Sequence, residues 1–435
     1  MNGASLRRNA FLGVLLTAAL AVLSDWSRDQ SLAGLWRIPA ALLLLGLAYE
    51  SWVVWRSGLE CDVEMPGQLL LGRAGWIRII CRHALRRALT LEVAPSAPND
   101  IEIENHIARL VIPAGECGTL ARRASAGRLG EYSWPSLRTR VAGPLGLAWW
   151  PMELKCKKLV RVLPDLFRSG DEVKGIAASG TQAGVDIGAA AEVLRLREYR
   201  DGDPPRVIDW KATARAGRLI SRDFAQDQGL QIVIVVDAGR SSALRAGTLD
   251  RFGHYVNVAA RLAQFAAERE DLVGLVVYAD RPLAALAPAR GAPAVTRLRA
   301  LLAASRAEPT ESNPLYAAIR VRALVRRRSL IVLLTDIDDV SAESQLAQAV
   351  RFLLPTHLPF VAGLSSAAAQ SMAGAPAHHW LDPYRSLAAQ EYCAGLDRKV
   401  RAMNALGAPT LVARPEHLER AVFAAYVNFR RRRRA

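Results

Sequence analysis

At 435 residues the chain is long enough for two to three domains with cores of their own. It carries 57 basic against 41 acidic residues, a net charge of +16, and all but six of the basic residues are arginine. Its five cysteines (Cys61, Cys81, Cys117, Cys156, Cys393) form no CxxC pair, which excludes a disulfide framework and points to reduced thiols in a cytosol. Two readings of the arginine excess stand: a grip on phosphate through bidentate guanidinium forks, or coding bias with a basic cytoplasmic face. No basic run is interleaved with aromatics as stacking on nucleic acid requires, so nucleic acid is not an expected partner.

Residues 1–57 read as a transmembrane helical hairpin. Ala10 to Leu23 is apolar and uncharged, though shorter than the ~20 residues that span a bilayer comfortably. Arg7 and Arg8 precede it, which also fits the core of a signal peptide. Ile38 to Trp55 is a second apolar run, broken only by Pro39, Glu50 and Ser51 and bracketed by Arg37 and Arg56. Trp36, Trp52 and Trp55 sit near its ends, where interfacial aromatics belong. The positive-inside rule puts Arg7 and Arg8 in the cytoplasm and returns the chain there after Arg56. The expected placement is therefore a multi-pass membrane protein, in contact with lipid, with its bulk cytoplasmic. Glu50, near a helix end, is expected to reach interfacial water.

Residues 58–164 change pattern. Runs such as LLLGRAGWIRIIC, LTLEVAPSAPND and ARLVIPAGECG alternate with Gly/Pro turns, the pattern of an all-β sandwich. His83 and His106 have no metal-ligand spacing and read as surface or satisfied histidines. Residues 165–229 are a linker followed by a dense charged stretch, REYRDGDPPRVIDWKATAR, Arg197 to Arg215. Gly202 and Pro204-Pro205 impose turns there. The mixed charges suit either an ion-paired clasp or a docking surface. Trp210 is the residue expected to anchor the stretch by burying its ring.

Residues 230–435 alternate strands and helices. Apolar strands are expected at Ile232–Val236, Leu272–Tyr278, Leu330–Leu334, Phe360–Leu364 and Thr410–Val412. Helices are expected at Arg251–Arg269, Ala294–Ala304, Leu315–Val325, Ser386–Leu406 and Pro415–Arg430. This is the pattern of an α/β doubly wound, mostly parallel sheet, with ligands bound at the strand carboxyl ends. Asp237 and Asp336 stand at two such ends.

The charged stretch resembles the signature of the domain-of-unknown-function 58 family, R-x-Y-x-x-G-D-x-x-R-x-I-D-W-x-x-x-A-R. Arg197, Tyr199, Gly202, Asp203, Arg206, Ile208, Asp209, Trp210, Ala214 and Arg215 all match. The resemblance implies a von Willebrand factor A-like (Rossmann-like) α/β domain after the signature. It also implies a MoxR-type AAA+ ATPase as partner. In von Willebrand A-like domains a D-x-S-x-S segment, a loop threonine and a later aspartate hold a divalent ion. Here Asp237, Ser241 and Asp336 match, Gly239 replaces the middle serine, and Thr310 or Ser312 is left to supply the loop hydroxyl. With one oxygen ligand fewer, weak Mg²⁺ binding is the expectation.

The expected function is a membrane-anchored, non-catalytic adaptor whose partner-binding residues are Arg200, Asp201, Asp203, Arg206 and Asp209. Walker A, G-x-S-x-G, HExxH and Rossmann motifs are all absent from the sequence. Two rivals remain. A metal-dependent ligand-binding or hydrolytic protein would use the strand-end carboxylates, and a membrane-bound nucleic-acid binder would use the arginines.

Overall fold

A computed structural model of the chain describes residues 5–26, 34, 36–94, 97–104, 107–155, 158–166, 193–199, 208–224, 229–339 and 343–434. The chain divides into two compact units, Met1–Leu163 and Pro164–Ala435.

The first unit opens with helices Arg8–Trp26 and Arg37–Trp55. Among the described residues one helix, Arg37–Trp55, is long and apolar enough to cross a membrane, with a mean hydropathy of 1.5. The apolar part of the first, Arg8–Ser24, is shorter. Glu50 does not reach water as expected. It is fully buried, and its carboxylate accepts hydrogen bonds from the backbone N–H groups of Leu145 (2.8 Å), Leu147 (3.0 Å) and Ala148 (3.0 Å) and from the Trp150 indole (3.4 Å). Those donors follow Gly143 in a GPLGL turn. A Cβ on Gly143 would stand 2.1 Å from the Glu50 carboxyl, so the turn admits only glycine there.

The rest of this unit is three sheets. One runs in the order Ser5–Leu6, Ala148–Leu154, Leu137–Ala142, Leu89–Ala94, Ala108–Ile112. The second runs Glu60–Glu64, Ala74–Arg82, Cys117–Ala126, Ile101–Ile103, and the third Gln68–Leu70, Leu159–Leu163, Gly130–Ser133. Strand alternation buries Ile77, Ile79 and Cys81 from one strand and Leu89, Leu91 and Val93 from another. His83 is a satisfied core histidine: Nε2 lies 3.2 Å from the Ile112 carbonyl, and Nδ1 accepts from Leu85 N. His106 and Cys156 lie outside the described residues. The reading of all cysteines as separate thiols is corrected: Cys61 and Cys81 are joined in a disulfide. They are 20 residues apart in sequence, but antiparallel pairing sets them directly opposite each other, and that register is not visible as a spacing motif.

The second unit is built on a six-stranded sheet. Its order is Pro282–Ala289, Leu272–Tyr278, Gln231–Asp237, Leu330–Leu334, Leu358–Leu364, Thr410–Ala413. The last five are parallel, and Pro282–Ala289 is antiparallel. Ile232–Val236 and Leu330–Leu334 are fully buried, as parallel strands covered on both faces must be. Helix Arg251–Ala267 follows the first strand, capped by Asp250, which accepts from Gly253 N at 2.7 Å. Most of its side chains are buried. The edge strand Pro282–Ala289 was not expected: PLAALAPA is rich in alanine and proline, and proline is tolerated on an edge.

Before this sheet the charged signature makes its own motif. Val193–Glu198 and Ile220–Phe224 pair antiparallel, and helix Trp210–Ala216 lies between them in sequence.

Candidate functional site

Two places in the second unit carry chemistry. The first is at the carboxyl ends of strands Gln231–Asp237 and Leu330–Leu334. Asp237 is 1% exposed and Asp336 2%. Both carboxylates accept hydrogen bonds from protein donors. Asp237 Oδ1 accepts from Gly239 N (2.9 Å) and Ser312 Oγ (2.6 Å), and Oδ2 from Thr335 Oγ1 (2.6 Å) and Tyr278 OH (3.3 Å). Asp336 accepts from Tyr255 OH (2.6 Å) and Ser242 Oγ (3.2 Å). Ser241, expected beside Asp237, instead donates to Asp339 at 2.7 Å.

Gly239 has a steric reason. A Cβ at that position would come within 2.1 Å of Ser312 Oγ. The hydroxyl that a serine at 239 would bring is therefore supplied from the loop before helix Pro314–Leu324, and it is already bonded to Asp237. Thr310, the other expected donor, has a buried Oγ1 without a hydrogen-bond partner among the described residues, while its carbonyl accepts from Arg240 N.

A cation is present in the form of Arg251. Its Nη1 lies 3.1 Å from Asp336 Oδ1 and 2.8 Å from Asp338 Oδ1, and its Nη2 is 2.9 Å from Asp338 Oδ2. The side chain is 9% exposed. Tyr392, on helix Asp382–Ala405, also donates to Asp338. Burial draws the Arg251 pKa down, but the Asp338 bond and the charges of Asp336 and Asp338 outweigh it and hold the guanidinium above its ordinary value. Burial lifts Asp336 to about 6, against the pull of Arg251. Burial also raises Asp237, Tyr255 and Tyr278. Asp338 stays below the usual carboxylate range: burial lifts it, and Arg251 prevails.

The set Asp237, Ser241, Asp336, expected to hold a divalent ion, is engaged within the protein. The oxygens that would ligate it are bonded to hydroxyls, an amide and a guanidinium, and Ser241 serves Asp339. Among the described residues no group of three His, Cys, Asp or Glu side chains is placed to hold a metal. The sequence reading missed Arg251, Tyr255, Tyr278, Asp338 and Tyr392. The signal available was an arginine and a tyrosine four residues apart, on one face of helix Arg251–Ala267.

The second place is the signature. Asp209 is the N-cap of helix Trp210–Ala216, its Oδ1 accepting from Lys211 N and Ala212 N at 3.0 Å each. Gly217 ends the helix in the left-handed region at φ 63°. Thr213 Oγ1 accepts from Ile220 N, fastening the helix to the returning strand. Arg218 pairs with Glu198 across the hairpin. The expected anchor role of Trp210 is corrected: the ring is 66% exposed, because it starts a seven-residue helix that has no buried residue. Arg200, Asp201, Asp203 and Arg206 lie outside the described residues. Of two other basic and imidazole features, Arg430 is tied to buried Asp271 at 3.0 Å, and the backbone N–H groups of His378 and His379 donate to the side chain of Asp382, the first residue of helix Asp382–Ala405.

Residues 195–356 match the family model described as "Protein of unknown function DUF58". The chain carries a DUF58 domain. Its span includes the signature helix, Asp237, Ser241, Arg251, Asp336 and Asp338, and stops short of Tyr392. No curated protein matches the chain. Solved structures with local likeness include the conserved hypothetical protein BatB from Bacteroides thetaiotaomicron, at 15% identity over 31% of this chain and 67% of that one, with a TM-score of 0.27. The CARDB domain of the PF1109 protein from Pyrococcus furiosus is 11% identical over 25% of this chain and 89% of that one (TM-score 0.18). A protein of unknown function from Porphyromonas gingivalis is 14% identical over 24% and 48% (TM-score 0.19). Likenesses this slight carry no argument about the fold of the DUF58 domain.

Proposed function

We propose that the chain is a membrane-anchored, non-catalytic adaptor that binds a MoxR-type AAA+ ATPase and assists the assembly or activation of other complexes. In this reading the second unit is a von Willebrand factor A-like domain, and the signature is its docking surface. The observation that carries the reading is the exposed Trp210 on a helix that DUF58 residues cap and fasten at both ends. A large aromatic held out on a rigid support is the usual make-up of an interface anchor. The test is affinity purification of the full-length protein from detergent. Co-elution of a AAA+ ATPase supports the reading, and its reproducible absence at native expression contradicts it.

The proposed placement is the bacterial inner membrane, both N-terminal helices crossing it and the bulk of the chain cytoplasmic. The apolar helix Arg37–Trp55 supports this. The Cys61–Cys81 disulfide is the observation against it, because reducing compartments keep such bonds open. Alkylation of intact cells followed by mass mapping decides. Alkylated Cys61 and Cys81 fit the cytoplasmic placement, and an intact bond overturns it.

A further inference from the structure

A donor set of two strand-end aspartates with hydroxyls between them has the hard-oxygen chemistry of a Mg²⁺ site, yet its oxygens are already engaged. One of them, Asp336 Oδ1, shares a guanidinium nitrogen of Arg251 with Oδ1 of the neighbouring Asp338, at 3.1 and 2.8 Å. The second guanidinium nitrogen completes a fork on Asp338 at 2.9 Å. We propose that Arg251 is the resident cation of this centre, covalently supplied by the chain, and that the centre is metal-independent by construction.

The chemistry favours arginine for this task. A planar fork holds two oxygens of one carboxylate and still has a hydrogen to offer a second carboxylate, which a lysine ammonium cannot do in the same plane. The position is fixed by backbone: Asp250 caps the helix on which Arg251 is the first residue, so the guanidinium is delivered from the helix start. Tyr255, one turn further on, donates to Asp336 and places a second group of the same helix on the same carboxylate. Tyr392 donates to Asp338, so the cation also ties helix Asp382–Ala405 to the strand-end loop. A divalent ion on Asp336 Oδ1 would have to take that oxygen from the guanidinium, which would be left with its fork on Asp338 alone. Ser241 is free of any metal duty here and holds Asp339 instead. This inference stands apart from the identity of the partner: it concerns how the domain neutralises its buried carboxylates.

The experiment compares wild type, Arg251→Ala and the double variant Arg251→Ala/Asp338→Asn, as full-length proteins in detergent. Thermal unfolding is followed with EDTA and with rising MgCl₂. The wild-type Tm is expected to be the same in both. Arg251→Ala is expected to melt lower in EDTA and to regain part of the loss as Mg²⁺ rises, because the vacated oxygens now accept the ion. The double variant, one carboxylate fewer, is expected to lose that response. A wild-type Tm that climbs with Mg²⁺ overturns the proposal, as does a folded Arg251→Ala protein that ignores Mg²⁺. Where Arg251→Ala does not fold, calorimetric titration of Mg²⁺ into wild type decides. Absence of saturable heat supports the proposal, and saturable heat that Asp336→Asn abolishes overturns it.

Discussion

The strand-end cluster and the signature helix are both rich in charge, and they use it in opposite ways. At the strand ends Asp237, Asp336 and Arg251 are out of solvent, and their polar atoms are bonded within the protein. On the signature helix the charged residues flank an aromatic that is itself in solvent. A buried ion pair broken on one side leaves a stranded charge, whereas an exposed group can be removed with little effect on the fold. The first region is therefore expected to govern stability and the second recognition.

Four substitutions test that contrast. Arg251→Met has the largest expected effect, a loss of about 3–5 kcal/mol, because buried Asp336 and half-buried Asp338 lose their cation. Denaturant unfolding measures it; a loss under about 1 kcal/mol contradicts the pairing described. Tyr255→Phe comes next, at about 1–3 kcal/mol, since Asp336 loses its shortest hydrogen bond in a buried setting. Asp209→Ala removes the N-cap of the signature helix and is expected to cost about 1 kcal/mol or less, with Asp209→Ser recovering most of it. Trp210→Ala is expected to change stability by less than about 0.5 kcal/mol.

pH sharpens the same contrast. The Asp336 pKa is raised from 3.8 to about 6, so the folded state holds this proton more tightly than the unfolded state. The stability this contributes is complete below 3.8 and is lost as pH rises through about 6. Relative to Asp336→Asn, the wild-type Tm should therefore fall between these two pH values. A parallel pair of pH–Tm curves would show that Asp336 does not titrate as described.

The elements of the second unit were legible to different degrees. Leu272–Tyr278 and Leu330–Leu334 were readable to the residue, because a parallel strand buried on both faces is an unbroken apolar run. Pro282–Ala289 was not, since an edge strand needs neither β-branched residues nor full backbone pairing. The candidate site was legible in its aspartates and not in its cation. Asp237 and Asp336 follow apolar runs, while Arg251 meets Asp338 only across 87 residues of chain. The Cys61–Cys81 bond was hidden for the same reason, because it depends on strand register. Trp210 was misjudged by residue type: large aromatics are usually buried, and only the helix's lack of a buried face shows that this one is not.

In the function proposed, the DUF58 signature is a recognition surface anchored by Trp210. Its most direct test is a side-by-side purification of wild type and Trp210→Ala from detergent, with bound AAA+ ATPase quantified and both proteins melted. The account predicts an unchanged Tm and loss of the co-purifying ATPase. A lowered Tm with ATPase still bound at the wild-type level would contradict it, and would make Trp210 a structural residue.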